Sequence, residues 1–311
     1  MEPDRSGHPP RSKQRNMMRP SSSMSTLAGD HCLAPARRVD APVHTGQYGR
    51  LFPDLPALVV DEGRLQQLGV AGGACDGAQG TERAGEGAAG WPFFGQFIAH
   101  DITADRSPLT HGADAHVRNF RTPRLNLECV YAAGPVGSPY LFDRDDPAKF
   151  LLGENGCDVP RNWQGIALVG DPRNDVHLFL NQLHVVMLKT HNDLVDRLRR
   201  EGVSGDAVFD GARQLLTWHY QWIVLHDFLP RLVGTTLADR LLADGATLGR
   251  LAGDPCIPFE FADAAYRYGH SQIRQRYRVN ATSGDLPLFP DLIGFKPVGP
   301  ERSIEWALLF D

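Results

Sequence analysis

Two stretches of helical periodicity, residues 174–200 and 206–229, constrain this chain more than any other feature. In the first, Val176, Phe179, Leu180, Leu183, Met187, Leu194 and Leu198 fall mostly three or four residues apart, the spacing that lines one face of an α-helix. In the second, Val208, Leu215, Trp218, Trp222, Leu225 and Leu229 repeat the pattern, and Pro230 is expected to bend or stop it. Asp171-Pro172 supplies a start signal for the first run. A third helix is predicted over 259–274. A short one covers FFGQFIAHDI at 93–102, where Phe93/Phe97 and Phe94/Ile98 make i,i+4 pairs. No sustained Val/Ile/Thr alternation signals a sheet. The segments between the helices are polar and rich in Gly and Pro. These features describe a mainly α protein with long loops and little β, and without internal repeats.

Composition sets the remaining bounds. A chain of 311 residues can bury a sizeable core, and its net charge of -5 argues against a nucleic-acid binder, which shows a concentrated basic footprint. No apolar run reaches the roughly 18 residues that a membrane span requires. Cys32, Cys75, Cys129, Cys157 and Cys256 are scattered, forming neither a CxxC metal pattern nor a disulfide framework, so a reducing, cytoplasmic compartment is the default expectation. Residues 1–44 are basic and rich in Ser and Pro. They read as a disordered tail lacking the apolar segment of a secretory signal, ahead of one domain over 45–311. Residues 71–90, rich in Gly and Ala, read as a further flexible stretch.

Histidine is the residue type to weigh for chemistry. His177, His184 and His191 recur every seven residues, as do His219 and His226. Seven residues rise about 10.5 Å along a helix, so no two in such a series share one metal ion, and the i,i+4 spacing of a zinc HExxH pair is absent. Most of these rings are therefore read as structural. His100 and His270 remain, each in an aromatic-rich helical segment. Gln96 lies one turn before His100 on the same face, and Asp101 points to another face. An imidazole and an amide in a dry pocket suit proton transfer to a small polar substrate, but a core histidine donating to a carbonyl fits the same residues. Gly269 beside His270 leaves room for a flat group to approach the backbone.

The order of the segments adds what no one of them gives. Gly95-Gln96…His100-Asp101, FRTPRLNLECVY at 120–131, GDPRND at 170–175, QLHVVMLKTHNDLVD at 182–196, WHYQWIVLHDFLPRLVG at 218–234 and YRYGHSQIR at 266–274 follow one another. Across about residues 48–310 the chain resembles the animal-type haem peroxidase family, in particular its bacterial branch. The resemblance implies that His100 is the distal histidine, an imidazole titrating near neutrality that moves the peroxide proton. Arg173 matches the distal arginine, and Gln96 matches the glutamine that holds distal water. His270 matches the proximal ligand of the haem iron, and Arg267 matches an arginine that pairs with a haem propionate.

By the same resemblance, Asp101 turns away from the haem toward a calcium ion. That ion is shared with Thr122, the carbonyl of Arg124, Asn126 and Glu128, a set poor in charge for calcium. Ala99 and Val176 stand where some relatives esterify the haem, so non-covalent haem b is expected. His177 is implied to lie near the haem edge. The expected partners are hydrogen peroxide and a small-molecule electron donor. Relatives run on far past the proximal histidine, whereas Asp311 follows His270 by 41 residues. The C-terminal half is therefore expected to be missing or supplied by a second chain.

Two other readings stay open at this level. One is a non-catalytic relative. The other is a fatty-acid dioxygenase, which places a radical-forming tyrosine three residues before the proximal histidine. Here that position is Arg267, and Tyr266 and Tyr268 are expected to point elsewhere. A Ser-His-Asp hydrolase finds no GxSxG elbow.

Overall fold

A computed structural model describes residues 48–56, 58–76, 87–104, 119–244 and 256–310. The expected tail at 1–44 and residues 77–86 of the Gly/Ala stretch lie outside these. All described residues belong to one compact unit, Pro42–Asp311. Five helices organise it: α1 (Glu62–Gly69), α2 (Trp91–Ile102), α3 (Leu178–Arg200), α4 (Ala207–Ile223) and α5 (Thr235–Asp244). The mainly α expectation holds. The only paired strands among the described residues are β1 (Arg276–Tyr277) and β2 (Leu286–Pro287), antiparallel with Arg276 opposite Pro287 and Tyr277 opposite Leu286.

The core lies where α2 crosses α3 and where α4 packs along α3. Phe93 of α2 stacks on Phe179 of α3 with ring centroids 3.9 Å apart. Phe97 and Leu180 are fully buried, and so is Tyr220 on α4. Burying one large apolar side chain is worth about 1.5–3 kcal/mol, so this three-way contact fixes the angle at which α2 presents His100. By contrast α1, capped by Asp61 accepting from the Arg64 amide at 3.0 Å, buries none of its residues.

Three boundaries differ from expectation. Asp171-Pro172 does not start the long helix. The Asp171 carboxylate accepts from the Arg173 amide at 3.0 Å and caps a separate 3₁₀ turn, Pro172–Asp175; α3 then begins at Leu178 under a histidine cap, His177. Pro230 does not end the second helix either. A π-turn, Val224–Phe228, shifts the hydrogen-bond register just before the proline, and helix continues over Leu229–Val233 to Gly234 at φ +82°. The predicted third helix is a π-turn, Glu260–Ala264, running into a 3₁₀ helix, Ala265–Gln272, with no buried residue in either. Phe261, Tyr266 and Ile273 are only partly buried against the core, and packing supplies most of a short helix's stability.

The loop after β2 packs onto the 3₁₀ turn at 172–175. Gly294 and Phe295 donate their amides to the carbonyls of Val176 and Asp175, each at 3.0 Å. A Cβ at Gly294 would stand 1.7 Å from the Asp175 carbonyl oxygen, so only glycine permits this approach. The loop thereby buttresses the turn that carries Arg173.

Candidate functional site

α2, the 172–175 turn and the 265–272 helix enclose a cavity of about 290 Å³. Five residues singled out in the sequence line it: Gln96, His100, Arg173, Arg267 and His270. They come from three segments separated by as many as 174 positions (96 to 270). His100 and Gln96 share one wall because they lie a single turn apart on α2. His270, exposed, stands on the 3₁₀ helix that lines the same cavity, and its ring makes no hydrogen bond among the described residues. Gly269 beside it also lines the cavity, and a Cβ there would meet nothing within 4 Å.

His100 is buried, and its Nδ1 lies 2.9 Å from the Asn174 amide oxygen. Burial, aided by the Arg173 cation, pushes its pKa down to about 4. The expected titration near neutrality is therefore corrected: this imidazole is neutral at physiological pH and can accept a proton.

Arg173 is tied down on one edge. Its Nε donates to Asp171 at 3.0 Å and its Nη2 donates to Asp171, to the His100 carbonyl at 3.2 Å and to the Thr103 carbonyl. Its Nη1 has no protein partner among the described residues. Asp171 is in turn bound by Arg121 at 2.8 Å. Burial works against the Asp171 charge, but hydrogen bonds and charge from Arg173 and Arg121 override it and hold the carboxyl well below the usual range.

Gln96 is oriented by His177. The Leu180 amide donates to His177 Nδ1 at 3.4 Å, so the ring proton sits on Nε2, which donates to Gln96 Oε1 at 2.8 Å. The Gln96 amide nitrogen is left without a protein partner among the described residues. The heptad series of histidines therefore serves successive layers of the fold. His177 holds Gln96, His184 meets Asn174 at 3.1 Å, and His191 bridges Tyr131 at 2.8 Å and the Ala148 carbonyl at 2.9 Å. Most are structural as expected, but His177 and His184 brace the cavity wall. Sequence reasoning missed Asn174; its one available signal was its place directly after Arg173 in GDPRND.

Arg267 lines the cavity but is paired with Asp263 at 3.2 Å and is largely exposed. Tyr266 and Tyr268 line the same cavity, which corrects the expectation that both point away; the 3₁₀ turn, tighter than an α-helix, brings them round. The Tyr266 hydroxyl is occupied, donating to the Gly95 carbonyl at 2.9 Å.

Asp101 turns away from the cavity, as expected, and is fully buried against the 122–128 loop. It accepts from the amides of Leu127 at 3.1 Å and Cys129 at 3.4 Å, while burial raises its pKa to about 6. In that loop Thr122 donates its hydroxyl to the Glu128 carboxylate, and the Asn126 amide donates to the same carboxylate at 3.0 Å. The Arg124 carbonyl accepts from Gln221 at 3.2 Å. Leu125 and Leu127 take left-handed conformations, φ 53° and 58°, each costing on the order of 1–3 kcal/mol. The Asn126 side-chain oxygen is buried without a partner. Among the described residues no three His, Cys, Asp or Glu side chains are grouped so as to hold a metal ion by themselves.

Residues 110–288 match the family model for animal haem peroxidase, a span that includes Arg173, Arg267 and His270. Heme peroxidase 2 of Caenorhabditis elegans is 36% identical over 112 residues, which cover 34% of this chain and 16% of the relative. Human eosinophil peroxidase is 30% identical over 164 residues, covering 48% and 21%. The chain thus aligns with about a fifth or less of the length of these curated relatives. Among solved structures, peroxidase A from Dictyostelium discoideum superposes with TM-score 0.50 at 15% identity, covering 70% of this chain and 54% of that one. Oryza sativa fatty acid alpha-dioxygenase gives 0.50 at 16%, covering 68% and 46%.

Proposed function

Since the chain belongs to the animal haem peroxidase family, we propose that it is a haem-dependent peroxidase, reducing hydrogen peroxide while oxidising a small-molecule electron donor. The observation that carries this reading is the convergence of Gln96, His100, Arg173, Arg267 and His270 on one cavity. The lining suits a haem. It holds two imidazoles and two guanidinium groups, and among the described residues no carboxylate or thiol. Arg267 offers a guanidinium for a propionate. Ala99, which lines the cavity, offers nothing to esterify, and Val176 is equally inert, so the haem is b-type and held non-covalently.

Haem, when bound, supplies the iron and the conjugated ring that take up the oxidising equivalents of the peroxide. His270 would hold the iron through its ring, and Arg267, released from Asp263, would pair with a propionate. His100 takes the proton of the peroxide O–H at its Nε2 and returns it to the oxygen that departs as water. Arg173, anchored on Asp171, keeps a cation beside the charge that grows on that oxygen. Gln96, with its carbonyl held by His177, offers its amide N–H groups to the same oxygens.

Calcium belongs to the proposal as a structural ion. Thr122, the Arg124 carbonyl, Asn126 and Glu128 would hold it, with Asp101 beneath the loop, and the partnerless Asn126 oxygen is the feature that fits a cation. Only two of these donors are carboxylates, so binding is expected to be weak.

The test is turnover of peroxide with a general one-electron donor after haemin reconstitution. His100→Ala should leave haem bound and slow peroxide cleavage by roughly 10²–10⁴-fold; an undiminished rate would remove His100 from the reaction. Oxygen uptake with linoleate, without turnover of peroxide and donor, would favour the dioxygenase reading.

A further inference from the structure

We propose that Asn174 and His184 are positioning residues that lock His100 in the tautomer protonated at Nδ1, leaving a bare Nε2 facing the cavity. This rests on the reading of the cavity as the peroxide site, but its evidence is the hydrogen-bond chain behind it. Asn174 is fully buried in the 3₁₀ turn capped by Asp171. Its side-chain oxygen lies 2.9 Å from His100 Nδ1, and its side-chain nitrogen lies 3.1 Å from His184 Nδ1. An amide nitrogen can only donate and an amide oxygen can only accept. His184 Nδ1 is therefore the acceptor and His100 Nδ1 the donor. A neutral imidazole carries one N–H, so the proton of His100 is committed to the inner side of the ring.

The polarity of this chain decides what the site can do. With the amide reversed, His100 would carry its proton on Nε2 and would have no lone pair for an incoming peroxide O–H. His184 is the other end of this chain, its bare Nδ1 accepting from the Asn174 nitrogen at 3.1 Å. It is buried on α3, seven residues after the histidine that orients Gln96, so one helix sets both groups of the wall. Gln96 thereby presents donors and His100 an acceptor, the complement of a molecule that both donates and accepts. The relay contains no charged member, so it orients the ring without adding a carboxylate that would draw a proton onto Nε2.

Long-range proton–nitrogen correlation spectra of ¹⁵N-histidine-labelled full-length chain, without added haemin, read the tautomer directly. His100 is assigned by its loss in His100→Gln. The expected result is a protonated Nδ1 and a bare Nε2 at neutral pH. Asn174→Asp sets a carboxylate against Nδ1 and should draw a second proton onto Nε2, whereas Asn174→Leu removes the acceptor and should populate the neutral Nε2-protonated form. A purely structural Asn174 predicts no change at Nε2 in either variant. Protonated Nε2 in the native chain, or an unaltered tautomer in a folded Asn174→Leu, would overturn the proposal. If Asn174→Leu does not fold, the native and Asn174→Asp spectra still decide.

After haemin addition, Asn174→Leu should lower the rate of peroxide cleavage about 10–100-fold, the usual worth of an outer hydrogen-bond partner, with haemin affinity unchanged. Failure to bind haemin with the Nδ1 tautomer intact would sink the peroxidase reading alone. Normal haemin binding with Nε2 protonated would sink only this one.

Discussion

Acidification should unfold this protein well above the pH at which carboxylates normally titrate, because of its buried neutral histidines. His100, His184 and His191 are all buried, and burial pushes each pKa from 6.5 down to about 4. A folded pKa below the unfolded one means that the unfolded chain binds protons first. The stability these rings confer is whole above pH 6.5 and is lost as pH falls toward 4. Asp101 has the opposite sign. Its pKa rises from 3.8 to about 6, so between those values the folded state takes up a proton that the unfolded chain does not.

Near pH 5 the three histidines less Asp101 leave the unfolded chain about two protons richer, or roughly 2.7 kcal/mol per pH unit. Over one to two pH units that consumes much of a typical domain stability of about 5–15 kcal/mol. Urea unfolding followed by far-ultraviolet circular dichroism at pH 7, 6 and 5 measures the slope, and His191→Gln should flatten it by about 1.4 kcal/mol per unit. Equal stability at all three pH values would refute the burial of neutral imidazoles. His177, also pushed down to about 4 by burial, acts in the same direction.

Other perturbations follow from single contacts. Arg121→Ala strips one partner from the buried Asp171 and should lower stability by about 3–5 kcal/mol in denaturant titration; a loss below 1 kcal/mol would show that Arg173 suffices. Phe97→Ala empties a fully buried site between α2 and α4 and should cost about 3–5 kcal/mol. Calcium should raise the melting temperature and chelator should lower it, with Asn126→Asp enlarging the difference by adding a charged donor; a melting temperature indifferent to both would end the calcium proposal.

The helices that carry the site were legible because their apolar residues face one another. Phe93, Phe97 and Phe179 repeat at helical spacing in sequence and meet in the core. The ends of those helices were not legible. The π-turn before Pro230 and the 3₁₀ helix at 265–272 answer to how many neighbours each segment finds, and sequence does not display neighbours. Within the site, His100, Arg173 and His270 could be named from motif order, since each stands in a distinctive short string. Asn174 and the His177–Gln96 contact could not be, because their importance lies in which atom faces which. The pKa of His100 was missed for a related reason: a depressed value needs burial and a nearby cation, and Arg173 arrives from a segment 73 residues away.

The central claim is that His270 and His100 face one another across a haem cavity, and haemin titration of the full chain followed by its Soret band tests it most directly. The native chain and His100→Ala should both give a saturable, shifted Soret band, and His270→Ala should lose it or show a changed ligation spectrum. Free-haemin absorption throughout the native titration, or native-like binding by His270→Ala, would contradict the account.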